Sequence, residues 1–167
     1  ARGISLFLVD GKAKGVARRD YRTIDGLRAA DITLAGVRVD ASAVLGEIDT
    51  GLPVIERVLD DGAAALCAEA VGVMEALNAQ TLDYLKNRQQ FGQPIGRFQV
   101  LQHRAVDMMI HCEQSRSMAI LAAMRADSTD VKDRRHAVSA AKVTIGRSGR
   151  ALAQSAYQLH GGMGMTN

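Results

Sequence analysis

The run Ala63-Ala64-Ala65-Leu66-Cys67-Ala68-Glu69-Ala70-Val71-Gly72-Val73-Met74-Glu75-Ala76-Leu77 decides the fold of this 167-residue chain. It is apolar almost all round and only Glu69 and Glu75 interrupt it, so a helix through it should be surrounded by other elements rather than lie on a surface. Outward from it, Leu59, Leu66 and Val73 recur at sevenfold spacing, and Ala63, Ala70, Leu77 and Tyr84 form an adjoining stripe. Pro53 suits the start of this helix, because the N–H it lacks would be unpaired in a first turn anyway. The run is too short and too acidic to read as a bilayer span.

Downstream, Pro94 and Gly96 punctuate a gap, after which the pattern predicts a second helix over about 97–126. A third should run from near Asp130 to His160, with Ser128 or Asp130 as its N-cap. Short connections at 92–96 and 126–130 force each helix to reverse against its predecessor. Three helices of roughly thirty residues, each about 45 Å long, want a fourth to close a bundle. Upstream the pattern is β: residues 4–9, residues 16–24, and the alternating Ile32, Leu34, Val37 and Val39, with turns at Asp10-Gly11, Lys14-Gly15 and Asp25-Gly26. Three such strands do not make a stable sheet alone and read as part of a larger β layer. The expected class is mainly α. A short β remnant over 1–46, with residues 46–53 as linker, leads into three long antiparallel helices of an incomplete four-helix bundle over 47–167.

Composition narrows the function without giving it. The net charge of +3 and pI near 9.1 permit an anionic partner, yet Arg18-Arg19 is followed by Asp20 and Lys132 by Asp133. With no Trp, three Phe and three Tyr, a stacking platform for single-stranded nucleic acid is poorly supplied. Cys67 and Cys112 lie in apolar helical stretches without metal-site spacing and read as buried thiols in a reducing compartment. The opening Ala1-Arg2-Gly3-Ile4 has neither an initiator Met nor a leader pattern, as expected of a piece of a longer chain.

Two motifs carry the chemistry. Arg88-Gln89-Gln90-Phe91-Gly92, followed by Phe98-Gln99, joins a permanent cation to an aromatic ring and a glycine. A guanidinium grips an anionic oxygen with two parallel donors. Gln158-Leu159-His160-Gly161-Gly162-Met163-Gly164 ends a helix with a carboxamide and then removes side chains, so a ligand can lie against bare backbone. Taken singly, each motif is as well explained by a helix stop beside a solvated arginine. Taken together and in this order they are far more specific. His103, Asp107 and His111 fall at i, i+4 and i+8 on one stripe, better explained as a polar face than as a metal site. No Glu is followed three residues later by His, which removes a ferritin-like di-iron site, and the glycines follow a helix rather than open one after a strand, which removes a nicotinamide fingerprint.

The pair of motifs resembles the C-terminal half of the acyl-CoA dehydrogenases. Asp31-Ile32-Thr33-Leu34-Ala35-Gly36-Val37-Arg38-Val39 with Val44-Leu45-Gly46-Glu47 is similar to the last strand and exit loop of that family's middle β-domain. Phe98-Gln99-Val100-Leu101-Gln102 and Ala140-Ala141-Lys142 are similar to its second and third long C-terminal helices. The resemblance implies FAD as cofactor, with Arg88, Gln90, Phe91, Phe98 and Gln99 at its pyrophosphate and adenine end and Gln158, Leu159, His160, Gly161 and Gly162 meeting it from the next helix. It implies α,β-desaturation of an acyl-CoA, with electron-transfer flavoprotein as acceptor. It also implies a dimer or tetramer, or a hetero-oligomer with a related subunit, in which these residues reach the neighbour's FAD. The compartment would be the cytoplasm or the mitochondrial matrix.

Departures from the family pattern limit the substrate side. Gly62 stands where some members place a base and Ala63 where an Arg helps hold the CoA moiety, while Asp60 matches an acidic position nearby. No catalytic residue is expected within 1–167, the usual carboxylate being expected beyond Asn167. The terminal run differs from the commonest forms, as in a divergent branch. Other readings are an acyl-CoA oxidase or flavin monooxygenase on the same scaffold, or a non-catalytic helical interaction module.

Overall fold

The computed structural model describes residues 3–165; Ala1, Arg2, Asn167 and the Thr166 of the terminal run lie outside them. Four strands come first: β1 (Leu6–Phe7), β2 (Val16–Arg22), β3 (Arg28–Leu34) and β4 (Val44–Leu45). They are followed by α1 (Leu52–Asn87), β5 (Gln89–Gln90), β6 (Gln93–Pro94), α2 (Gln99–Ala126) and α3 (Val131–His160), and a 3₁₀ turn closes the described chain at Gly161–Met165. The chain divides into two compact units between Arg57 and Val58, so the first turns of α1 group with the β segment rather than with the remaining helices.

In the first unit β2 and β3 form a hairpin in register from Val16↔Leu34 to Arg22↔Arg28, with Arg19 opposite Asp31 and ion-paired to it at 2.6 Å. The Asp25 carboxylate accepts from the Thr23 hydroxyl and the Leu27 N–H across the turn, which holds it below the usual carboxylate range. β1 pairs with β4 through Leu6↔Leu45 and Phe7↔Val44. The third strand therefore begins earlier than the Ile32–Val39 alternation suggests and stops at Leu34. Gly36, with φ +62, turns the chain there, and Val37 and Val39 belong to the loop that leads to β4.

The second unit is built on heptads. Met108, Cys112, Ser115, Ala119 and Ala122 of α2 are buried, as are Val138, Ala141, Ile145, Ser148, Leu152, Ala156 and Leu159 of α3. Steps of three and four keep each set on one stripe. Because many of these side chains are small, α2 and α3 approach more closely than either approaches α1. Asp130 caps α3, its Oδ1 accepting from the Lys132 and Asp133 N–H groups. Burial raises the thiol pKa of both Cys67 and Cys112, as expected of inert core cysteines.

Helix α1 is covered on one side only. Ala64, Cys67, Val71, Met74 and Leu85 are buried, whereas Leu59, Leu66 and Val73 remain 65%, 59% and 62% exposed. The expectation that this helix is enclosed all round is corrected on that face, where these three side chains stay uncovered. By length and composition alone α1 is apolar enough to cross a membrane, with a window of mean hydropathy 1.2. Two of its acids meet basic residues of the other helices, Asp60 facing Arg134 of α3 and Glu75 facing Arg116 of α2. Arg116 of α2 donates to Glu75 at 2.7 and 2.9 Å while also gripping Glu113.

The end of α1 differs from a simple glycine stop. The helix finishes at Asn87, and the chain enters a tight hairpin in which Gln90 pairs with Gln93. Phe91 and Gly92 form its two-residue turn, with φ +56 and +78. Positive φ at both central positions marks the mirror-image turn that matches strand twist, and an aromatic residue at the first of them is strained.

Candidate functional site

The two motifs meet at one end of the helical unit. Two ion or ring contacts fix the helix directions: Asp60 of α1 pairs with Arg134 near the start of α3, and Tyr84 stacks on His160 at its end. α1 and α3 therefore run side by side in the same direction. Arg88, just past the end of α1, and Gly161, just past the end of α3, emerge together.

Between them lies an open hollow of about 530 Å³. Arg88, Gln90, Gln158, Leu159, His160, Gly161 and Gly162 line it, all of them expected from the sequence. Tyr84, Ile95, Leu101 and Met163 complete it. Phe91, Phe98 and Gln99 do not line it. Phe91 is 89% exposed on the hairpin tip, where its ring meets Phe98 edge-on at 6.0 Å. Tyr84 was legible only as part of an apolar stripe; the signal that marks it is its place one helical turn before Arg88.

The electrostatics follow from what the polar groups already do. Among the described residues no carboxylate pairs with the Arg88 guanidinium and none makes a hydrogen bond with the Gln158 carboxamide. The lining contains no Asp or Glu. An exposed cation facing a hollow without acids suits an anionic ligand. Gly161 caps α3 with φ 58 and ψ −138, a conformation open essentially to glycine, and its N–H donates to the Gln158 carbonyl. A Cβ on Gly162 would meet nothing within 4 Å, whereas one on Gly164 would sit 2.9 Å from the Tyr157 carbonyl oxygen. In this turn Gly162 leaves room for something outside the chain, and Gly164 is needed by the chain itself.

Asp60 lies elsewhere. Its Oδ2 accepts from Arg134 Nε at 2.9 Å, and the Arg134 side chain, 7% exposed, also donates to the Ser128 carbonyl at 3.2 Å. Its first task is to neutralise a buried guanidinium. No group of three or more His, Cys, Asp or Glu among the described residues is arranged to hold a metal ion.

Comparison with known proteins adds the kin. The family model for the acyl-CoA dehydrogenase C-terminal domain matches residues 49–167. A 3-(aryl)acrylate reductase of Clostridium sporogenes is 31% identical over 98% of this chain and 44% of its own length. The structure of butyryl-CoA dehydrogenase from Megasphaera elsdenii superposes with a TM-score of 0.88 at 26% identity, covering 99% of this chain and 43% of that one. That of PigA with FAD and proline gives a TM-score of 0.90 at 27% identity over 99% and 43%. The chain thus spans less than half the length of the relatives it matches.

Proposed function

Because the chain belongs to the acyl-CoA dehydrogenase family, we propose that the hollow between α1 and α3 holds the phosphate-bearing part of FAD in a flavoenzyme that removes hydrogen from the α and β carbons of an acyl thioester. The observation that carries this reading is the uncommitted Arg88 facing Gly161-Gly162 across a cavity free of acids. FAD, when bound, supplies the two-electron oxidation of the acyl group. The residues of this chain bind and orient: Arg88 donates charged hydrogen bonds, Gln158 offers a carboxamide, and Gly162 leaves the backbone bare. The PigA structure with FAD supports the fit for a protein of the same fold.

Proton removal from the α carbon requires a positioned base. With glycine at position 62, the base is proposed to come from outside residues 1–167. The test is anaerobic mixing of the full-length flavoprotein with a panel of acyl-CoAs. Bleaching of the flavin by at least one thioester is expected, and residues 1–167 alone, given FAD and the same thioester, should show none. Bleaching by residues 1–167 alone would put the base inside them. Reoxidation by oxygen rather than by electron-transfer flavoprotein would favour an oxidase. The similarity to a 3-(aryl)acrylate reductase supports a second reading, in which the same site works toward saturation of an acrylate. Oxidation of the reduced flavin by an arylacrylate, with no bleaching by any saturated thioester, would select it.

A further inference from the structure

The walls of the hollow come from segments remote in sequence: the end of α1 with Arg88 and Gln90, and the end of α3 with its glycine turn. Tyr84 spans them. Its ring stacks on His160 with centroids 4.4 Å apart and planes inclined by 27°. Its hydroxyl donates to the His160 carbonyl at 3.4 Å. The imidazole is held in turn by Nδ1, which lies 2.9 Å from the Ala156 carbonyl oxygen and so must carry a proton to bond there. Tyr84 therefore touches both the side chain and the backbone of the residue that immediately precedes Gly161, whose positive φ sets the direction of the turn. On its own helix, the Tyr84 carbonyl accepts from the Arg88 N–H at 2.8 Å. The Tyr84 ring thus braces the glycine wall against the helical turn from which Arg88 emerges.

Resting on the flavin reading above, we infer that Tyr84 is a positioning residue of the cofactor site, fixing the Gly161-Gly162 turn relative to Arg88 so that both meet one anionic ligand. The ring does most of this through the stack, since the hydroxyl contact is long. Removing the stack lets the glycine turn and Arg88 drift apart, and the ligand then meets one wall or the other.

The test is FAD titration of the full-length apoprotein, followed by flavin fluorescence, with the visible circular dichroism of the bound flavin as a second readout. Tyr84→Leu should raise the dissociation constant about three- to tenfold and change the dichroism of the bound flavin, while the melting temperature of the apoprotein moves little. Tyr84→Phe, which keeps the ring, should restore most of the affinity. Combining Tyr84→Leu with His160→Leu should be no worse than the poorer single variant, because both remove the same contact. If Tyr84→Leu does not fold, His160→Phe, which keeps a stack, and His160→Ala, which removes it, decide the question: affinity lost only in the second supports the inference. A lowered melting temperature with wild-type affinity and dichroism would overturn it as a mere packing role. Affinity lost in Arg88→Ala but not in Tyr84→Leu would overturn it alone and leave the flavin reading intact. No FAD uptake by the wild-type protein would overturn both.

Discussion

The two ends of the helical unit each present a guanidinium, and the chain treats them oppositely. At one end Arg134 is buried, paired with Asp60 at 2.9 Å and bonded to the Ser128 carbonyl. At the other Arg88 is exposed beside a hollow of about 530 Å³ with no acid in its lining. A buried charge must be neutralised within the fold, while an exposed one can wait for a ligand. The same residue type therefore reads as structure at one end and as binding at the other.

The largest expected effect breaks the closed end. Asp60→Ala leaves the Arg134 charge buried without its carboxylate, and denaturant unfolding should show a loss of about 3–5 kcal/mol. Flavin affinity at a temperature where the variant stays folded should hold. At the open end the pattern inverts: Arg88→Ala should weaken FAD binding by about 1.5–3 kcal/mol, roughly ten- to a hundredfold in dissociation constant, with unfolding unchanged.

Smaller effects sharpen the contrast within the glycine turn. Gly161→Ala forces a Cβ onto a backbone at φ 58 and ψ −138, and should destabilise the fold by about 1–3 kcal/mol even without ligand. Gly162→Ala finds open space in the free protein and should leave melting unchanged, so any loss of FAD affinity reports the ligand directly. The smallest effect belongs to a third guanidinium, that of Arg116, which bridges Glu75 and Glu113 at the surface. Arg116→Ala should leave both the melting temperature and FAD affinity within error, and a shift in either would show that pairing alone does not separate structural from binding arginines.

Much of this was legible in the sequence because helices announce themselves by period and by caps. Asp130 and His160 bound α3 as expected, and the change of pattern near Pro53 marks the start of α1. The exposed stripe Leu59, Leu66 and Val73 was not legible, because a sevenfold repeat shows that residues share a face and not that anything covers it. The hairpin after Arg88 was hidden by Gly92, which suits a helix stop as well as a mirror-image turn; only Phe91 at φ +56 separates the two. In the candidate site, the resemblance pointed to Arg88, Gln90 and the residues from Gln158 to Gly162, which line the hollow, and to Phe91, Phe98 and Gln99, which do not. Tyr84 and the Asp60–Arg134 pair depend on contacts between residues 76 and 74 positions apart, which no local pattern encodes.

The most direct measurement is FAD titration of the full-length apoprotein carrying Arg88→Ala beside Asp60→Ala, with unfolding followed on the same samples. A double dissociation is expected: Arg88→Ala loses affinity and keeps stability, and Asp60→Ala loses stability and keeps affinity. Wild-type FAD affinity in Arg88→Ala, with the loss of affinity found instead in Asp60→Ala, would contradict it.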